Sequence, residues 1–264
     1  MSVSRRATFG EDAELYDRAR PGYPQALFDD LVRETGVSSR DRILEIGCGT
    51  GQATVPLAQR GLAIDALELS PTLAELARHN VRAHPRVSVR VGAFEDLPDP
   101  HPAFDLVLAA SSFHWVDPGV RMEKVARAVR PGGHLALVNT HHVRGGTVAF
   151  FEGSQRCYRE FFPATAPGWR LLTIEEVEAT RTEVDDGGFF RQVFRRTYPW
   201  DLRYSRSAYL DLLRTYSDHR SLGPVRREEL LACLGDLIDT EFHGVVQKAH
   251  LSELVLARRT GGGS

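Results

Sequence analysis

Short apolar runs alternate with segments of helical spacing between residues 41 and 139. Five of the runs have the composition of buried strands: RILEIG, LAIDALEL, RVSVRVG, FDLVLAAS and HLALVN. Neighbouring parallel strands need a long crossover connection, which a helix usually supplies. The alternation therefore predicts an α/β fold, a Rossmann-like doubly wound and mostly parallel sheet.

The first run leads into three glycines at alternate positions, in ILEIGCGTG at residues 43–51. A phosphate-binding Walker loop would need Lys-Ser/Thr after its last glycine, and Gln52 follows Gly51 instead. A dinucleotide fingerprint would need its third glycine at position 52. Glu45, two residues before Gly47, suits a ligand that carries a cationic amino group better than it suits a pyrophosphate.

Composition excludes several classes of partner. The chain has 33 basic and 35 acidic residues, a net charge of −2, so we expect neither nucleic acid nor a membrane as partner. The N-terminal stretch has no apolar segment typical of a signal peptide. Three widely spaced cysteines, Cys48, Cys157 and Cys233, suit free thiols in a reducing compartment. We therefore expect a soluble cytoplasmic protein.

The loop resembles motif I of the class I S-adenosylmethionine-dependent methyltransferases. GAFEDLP, FDLVLAASSFHWVD and VARAVRPGGHLALVN follow it in the order and spacing of the later family motifs, and the resemblance covers residues 9–140. YDRARPGYP (16–24) and SFHWVD (112–117) are similar to the small-molecule type 11 group, which includes trans-aconitate methyltransferase relatives. The resemblance implies an enzyme that uses S-adenosylmethionine as cofactor and a small molecule as methyl acceptor.

The resemblance also implies roles for individual residues. The glycine loop would wrap the aminoacyl end of the cofactor, with Glu45 linked to its amino group and Glu68 accepting hydrogen bonds from ribose hydroxyls. The common family form GDAEDLP has an Asp where this chain has Ala93, so adenine would be held by backbone groups or by Glu95 or Asp96. The candidate cofactor-binding residues are Arg20, Glu45, Gly47, Cys48, Gly49, Gly51, Glu68, Leu69, Ala93, Phe94, Glu95, Ala110 and Trp115.

The candidate catalytic residues are His114 and Tyr16. His114 follows the fourth strand, where ligands of open α/β sheets bind, and an imidazole titrates near neutral pH. Its alternative role is a wall of the cofactor pocket, and Arg20 is either a partner of the cofactor's carboxylate or a solvent-facing arginine. We predict no metal, because His141 and His142 have no third ligand nearby in the sequence.

The chain is expected to form a single methyltransferase domain. Residues 1–40 would be an N-terminal helical lid, 41–140 the cofactor-binding core, and 141–258 the acceptor-pocket elements and closing strands. Residues 261–264, GGGS, look like a linker. We expect seven strands with an antiparallel closing strand at GVVQKAHLSELVLARR, and a closed, partly apolar acceptor pocket with few polar groups, walled by the aromatic residues of the second half.

Three other functions remain open at this point. An NAD(P)-dependent oxidoreductase would use the same sheet, although Gln52 replaces its third glycine. A non-catalytic S-adenosylmethionine-binding protein would keep the same loop. A nucleic-acid methyltransferase would want a basic face or a target-base motif after the fourth strand, where SSFHWVD stands.

Overall fold

The computed structural model describes residues 12–98, 103–162, 168–182, 184 and 188–260. Its strands are β1 (Arg42–Ile46), β2 (Ala63–Glu68), β3 (Val87–Val91), β4 (Phe104–Ala110), β5 (Val129–Gly146), β6 (Phe190–Ser205) and β7 (Val245–Arg259). They form one seven-stranded sheet in the order β3-β2-β1-β4-β5-β7-β6. β1 to β5 pair in parallel, and β7 is antiparallel to β5 and β6. The predicted fold class is confirmed.

Helices connect and cover these strands in the described ranges. They are α1 (Ala13–Ala19), α2 (Gln25–Thr35), α3 (Thr54–Gln59), α4 (Pro71–Asn80), α5 (Arg121–Ala128), α6 (Val148–Phe161), α7 (Ile174–Glu178), α8 (Arg206–Arg214), α9 (Ser217–Arg220) and α10 (Pro224–Phe242). Short 3₁₀ turns lie at Phe94–Asp96 and Phe113–Trp115. The start of the predicted lid, residues 1–11, and the linker-like residues 261–264 lie outside the described residues.

The sheet order reverses between β1 and β4, which places the ligand crevice. β1 continues to β2 on one side, and the chain then returns to pair β4 on the other. Leu106, Val107 and Leu108 of β4 are fully buried, because helices cover both faces of the sheet there. Open sheets of this kind bind ligands beyond the carboxyl ends of the strands at such a reversal.

The sequence pairs a capping residue with a proline at Ser70-Pro71 and at Asp117-Pro118, and each pair predicts a helix start. Ser70 caps α4 as expected: its side chain accepts a hydrogen bond from the N–H of Leu73, and Pro71 opens the helix. The expected start at Asp117-Pro118 is wrong, since α5 begins at Arg121. The side chain of Asp117 instead accepts from the N–H of Gly119 at 2.8 Å, which closes a turn before the helix.

The position of strand β6 was not predicted, although seven strands were expected. It runs along β7 from the pair Phe190/Arg259 to the pair Ser205/Val245 and forms one edge of the sheet. Its sequence, FRQVFRRTYPWDLRYS, carries four arginines, of which Arg191, Arg196 and Arg203 are exposed, and one proline. Charged side chains and proline are tolerated on an edge strand, where one row of backbone groups faces away from the ladder. Because the strand contains no continuous apolar run, the sequence pattern did not indicate it.

The second-half helices α6, α8 and α10 pack on the β6–β7 end of the sheet around a shared apolar cluster that includes Phe150, Tyr209 and Leu234. A disulfide joins Cys157 of α6 to Cys233 of α10, with their Cα atoms 5.9 Å apart. The expectation of three free thiols is therefore wrong for this pair, because helix packing brings together two cysteines that are 76 residues apart. Cys48 alone is free, and it is buried.

Helix α1 packs against two helices, α4 and α8. The side-chain amide of Asn80 donates to Asp17 of α1 at 3.0 Å and to the carbonyl of Thr50 at 2.9 Å. The helix is therefore tied to the loop that follows β1. Of the helices in the described ranges, none has both the length and the apolar character needed to cross a membrane.

A glycine at the end of β5 gives the first test of the fold. Gly146 has a left-handed φ of 61°, and a Cβ there would overlap the backbone carbonyl of Gln247 in β7. Gly36, the C-cap of α2, has a similar φ of 67° but no neighbouring atom within 4 Å of such a Cβ. We expect Gly36→Ala to cost about 1–2 kcal/mol of unfolding free energy from backbone strain, and Gly146→Ala clearly more. Urea denaturation of both variants measures the difference, and equal losses would contradict the β5–β7 register.

Candidate functional site

A cavity of about 860 Å³ opens at the carboxyl edge of the parallel strands. One wall is formed by the turns that follow β1, β2, β3 and β4, and the other by α1, α6, α8, α9 and β7. Of the candidate site residues named from the sequence, all but Gly51 line this cavity. The predicted residues are thus brought together in space from segments that are up to 99 positions apart in the chain (Tyr16 to Trp115).

The glycine loop curls at the end of β1 with left-handed backbone angles. The φ values are 68° at Gly47, 59° at Gly49 and 104° at Gly51, a region that L-residues with side chains rarely adopt. A Cβ at Gly47 would stand 2.7 Å from the Cβ of Ser112, so the loop also packs closely on the turn after β4. Gly51 lies behind the loop and donates its N–H to the carbonyl of Cys48.

Glu68, the last residue of β2, holds this loop in place. One carboxylate oxygen accepts from the N–H of Gly49 at 2.9 Å, and the other accepts from the N–H of Ser70 at 2.9 Å. The side chain is buried, and burial raises its pKa although these N–H groups oppose the shift. Each oxygen keeps a lone pair, so the carboxylate remains able to accept hydrogen bonds from hydroxyl groups in the cavity.

Glu45 lies under the loop at 1% exposure. Its carboxyl group accepts a hydrogen bond from the hydroxyl of Thr54 at 2.7 Å. Burial raises the pKa of Glu45 to about 7, the Thr54 hydrogen bond lowers it, and the neighbouring charge of Glu68 adds to the rise. A cationic amino group entering the cavity would stabilise the ionised form.

The remaining predicted cofactor residues border the same end of the cavity. Phe94 is 3% exposed and packs into the core, with one side on the cavity. A carboxylate oxygen of Glu95 accepts from the N–H of Asp117 at 3.0 Å. Burial raises the pKa of the Cys48 thiol well above its usual value, which fits a packing role and not a nucleophile. Leu69, Ala93 and Ala110 complete this part of the lining.

His114 and Trp115 occupy the 3₁₀ turn after β4, with ring centroids 5.0 Å apart. Burial lowers the pKa of His114, and the charge of Arg121 lowers it further. Within the described residues, no carboxylate hydrogen-bonds to the His114 ring. The imidazole is therefore neutral near pH 7 and is not oriented by a carboxylate of the kind that usually supports a catalytic histidine.

Arg20 and Tyr16 reach the cavity from α1. The guanidinium of Arg20 donates to the carbonyl of Thr215 at 2.9 Å and lies over the rings of Tyr216, at 4.6 Å, and Tyr16, at 5.1 Å. Its buried Nε has no hydrogen-bond partner in the part of the chain that the structure describes. Burial raises the pKa of Tyr16, so the phenol stays protonated. Arg20 is not the solvent-facing arginine that was one alternative from the sequence.

The opposite end of the cavity carries polar groups that the sequence analysis missed. Lys248 of β7 is 6% exposed and donates to the hydroxyl of Tyr216 at 3.0 Å. Burial and the charge of Lys248 lower the pKa of His250 to about 3, so this imidazole is neutral. His219 hydrogen-bonds to Tyr158 at 3.1 Å. The expectation of few polar groups in the acceptor pocket is therefore wrong. No local signal marked these residues, since each belongs to a different element.

Four of the aromatic residues expected to wall the acceptor pocket do line the cavity: Phe151, Tyr158, Phe162 and Trp169. Phe150 and Phe161 pack behind them. The two adjacent histidines of β5 separate, as successive strand residues do: His142 lines the cavity, whereas His141 faces Glu253 at 3.8 Å. Across the described ranges, no group of three or more His, Cys, Asp and Glu side chains is placed to hold a metal ion.

The cavity's chemistry fits some ligands and not others. Positive φ angles let the loop backbone come close to a ligand. Two buried carboxyl groups, Glu45 and Glu68, can accept hydrogen bonds from hydroxyl and amino groups, but they would repel a pyrophosphate. The site therefore fits a ligand that carries hydroxyl groups and a cationic amino group.

Comparison with known proteins agrees with this geometry. Residues 44–137 match the family model described as a methyltransferase domain. An uncharacterized methyltransferase of Mycobacterium bovis is 38% identical over 152 residues, which are 56% of this chain and 60% of the relative. The chain thus matches less than two thirds of the length of the first curated relatives.

Two solved structures have the same fold. One, from Anaeromyxobacter dehalogenans and described as a candidate type II methyltransferase, has a TM-score of 0.59 and 24% identity, and the match covers 91% of this chain and 97% of that one. The other is a Haemonchus contortus phosphoethanolamine N-methyltransferase in complex with phosphomonomethylethanolamine and S-adenosylhomocysteine. Its TM-score is 0.51 at 15% identity, and the match covers 96% of this chain and 58% of that one.

The raised pKa of Glu45 predicts a pH-dependent stability. The native protein keeps a proton on Glu45 up to about pH 7, whereas an unfolded glutamate loses it near its ordinary pKa of 4.5, so stability falls as pH rises between these values. Glu45→Gln removes this penalty. We expect the variant, without ligand, to gain up to about 3 kcal/mol over the native chain at pH 8 and little at pH 5. Thermal unfolding at both pH values measures the gain; equal gains would mean that Glu45 is not protonated in the native state.

Proposed function

We propose that the chain is a class I S-adenosylmethionine-dependent methyltransferase, and that it transfers the methyl group of S-adenosylmethionine to a small-molecule acceptor. One observation carries the proposal: the carboxylate of Glu68 anchors the glycine loop at one end of a cavity whose other end is lined with aromatic rings. A ligand with hydroxyl groups fits the first end, and a metabolite-sized acceptor fits the second.

The residues at the first end are suited to each part of the cofactor. Glu68 would accept hydrogen bonds from the ribose hydroxyls, and Glu45 would face the amino group directly or through water. Leu69, Ala93 and Phe94 offer backbone groups and apolar surface for adenine, which suits a chain that lacks the usual Asp. The solved Haemonchus contortus enzyme of this fold binds S-adenosylhomocysteine, which supports the cofactor proposed here.

The protein's own contribution is to position the acceptor and exclude water. When bound, S-adenosylmethionine supplies a methyl group that is already electrophilic. Holding an acceptor atom in line with that group can account for about 7–11 kcal/mol of barrier reduction. His114, Trp115 and the α1 residues Tyr16 and Arg20 would close the cavity around the reacting atoms, which favours displacement and prevents loss of the methyl group to water.

Glu68 and Asp65 give a matched test of the cofactor site. Both lie on β2, but Asp65 pairs with Arg42 at 2.8 Å and accepts from Ser88 at 2.7 Å, and it does not line the cavity. We expect Glu68→Ala to weaken S-adenosylhomocysteine binding by about 1–3 kcal/mol, because loop N–H groups and ribose hydroxyls lose their acceptor, and Asp65→Asn to leave it unchanged. Calorimetry measures both. No binding by the native chain would overturn the proposed function itself.

His114 gives a second test, of its role in turnover. If it only walls the cavity, His114→Ala should lower kcat/KM by less than about tenfold, with most of the loss in KM. We expect this outcome, since no carboxylate in the described residues orients the ring. Methyl transfer from labelled S-adenosylmethionine measures it, and a loss of kcat of about 100-fold or more would instead make His114 the general base.

A further inference from the structure

Three side chains at the acceptor end form a continuous hydrogen-bonded chain. The hydroxyl of Tyr158, on α6, lies 3.1 Å from Nε2 of His219, and Nδ1 of His219 lies 3.0 Å from the carboxylate of Asp218, on α9. All three line the cavity, and His219 is only 3% exposed. Phenol, imidazole and carboxylate are thus aligned in the order in which a proton would pass along them.

The carboxylate determines which nitrogen of His219 carries the proton. Burial works to raise the pKa of Asp218, but hydrogen bonds from His219 outweigh it and hold this pKa below its ordinary value, so Asp218 is ionised. An ionised carboxylate only accepts hydrogen bonds, and Nδ1 must therefore carry the hydrogen. In the neutral ring, Nε2 then has a free lone pair and accepts the hydroxyl hydrogen of Tyr158.

Tyr158 is the member of the chain that can touch an acceptor. Its hydroxyl hydrogen points to His219, which leaves an oxygen lone pair available to a donor in the cavity. Burial raises the pKa of Tyr158, so the phenol does not ionise on its own. It can nevertheless pass a proton on if it receives one at the same time.

We propose that Tyr158, His219 and Asp218 are a proton relay that deprotonates a neutral hydroxyl acceptor, an alcohol or a phenol, during methyl transfer. This inference rests on the proposed function. Tyr158 is the catalytic residue that touches the acceptor, His219 takes up the proton, and Asp218 is a positioning residue. The relay differs from the residue expected from the sequence, His114, in having an orienting carboxylate.

The step balances in atoms and charge. The acceptor oxygen forms a bond to the methyl carbon, and the carbon–sulfur bond of the methyl donor breaks with its electron pair remaining on sulfur. The acceptor's hydroxyl proton moves to the oxygen of Tyr158 as the proton of Tyr158 moves to Nε2 of His219. The resulting imidazolium is paired with the carboxylate of Asp218 until it returns its proton to water.

Neighbouring groups are compatible with this role. The ring of Tyr216 lies 5.6 Å from that of His219, and its hydroxyl accepts from Lys248 at 3.0 Å. Arg20 lies on the Tyr216 ring. These two cations stabilise negative charge that develops on an acceptor oxygen.

Two phenols distinguish a relay from simple positioning. At pH 8, 4-methylphenol is protonated, whereas 4-nitrophenol is largely ionised and needs no base. With labelled S-adenosylmethionine, Tyr158→Phe and His219→Gln should lower kcat for 4-methylphenol by about 100-fold or more and lower kcat for 4-nitrophenol much less. Tyr204→Phe is the matched control, since its buried hydroxyl has no hydrogen-bond partner among the described residues and lies outside the cavity lining.

A readout without turnover tests the same chain. In ¹⁵N NMR of histidine-labelled protein, His219 should be the Nδ1–H tautomer, and Tyr158→Phe should shift its Nε2 resonance to that of an unbonded nitrogen. Asp218→Asn should weaken the tautomer preference. An Nε2–H tautomer would overturn the relay, and so would equal losses with both phenols, or a native chain that binds S-adenosylhomocysteine but methylates neither phenol. Failure to bind S-adenosylhomocysteine would instead overturn the proposed function.

Discussion

Two backbone N–H groups, from Gly49 and Ser70, donate hydrogen bonds to the same buried side chain, the carboxylate of Glu68. This contact joins the end of β2, the glycine loop after β1 and the first turn of α4. A buried N–H without an acceptor costs about 1–3 kcal/mol, so the loop's strained left-handed course depends on this side chain. The same carboxylate keeps lone pairs directed at the cavity, which makes one residue both the support of the loop and part of the ligand site.

Helix α1 connects the two ends of the cavity. Asn80 bridges Asp17 of α1 to the carbonyl of Thr50 in the glycine loop, and Arg20 reaches the carbonyl of Thr215 between α8 and α9. Through these contacts the N-terminal helix links the loop to the turn that carries Asp218 and His219. A displacement of α1 would therefore disturb both ends of the cavity, although α1 is not part of the sheet.

The sequence allowed the residues at the glycine-loop end of the cavity to be predicted, and those at the opposite end only in outline. The first end is built from residues that are close together in the sequence. Gly47, Gly49 and Glu68 occur at a characteristic spacing within one βαβ unit, so the sequence alone indicates where they lie. The second end is assembled from α6, α9 and β7. No sequence motif indicates that Tyr158, His219 and Lys248 lie close together in the fold. The long-range pairing of Cys157 with Cys233 was missed for the same reason, and β6 was missed because an edge strand does not need an apolar pattern.

The charges of the site are separated along the cavity. Carboxyl groups, Glu45 and Glu68, lie at the glycine-loop end, whereas two cations, Arg20 and Lys248, lie toward the other end together with the carboxylate of Asp218. Low-dielectric walls strengthen such a field, because water screens it little. A cationic group is attracted to the first end, and the two cations attract an electron-rich oxygen at the second. The field thus favours one relative orientation of two such ligands before either makes a specific hydrogen bond.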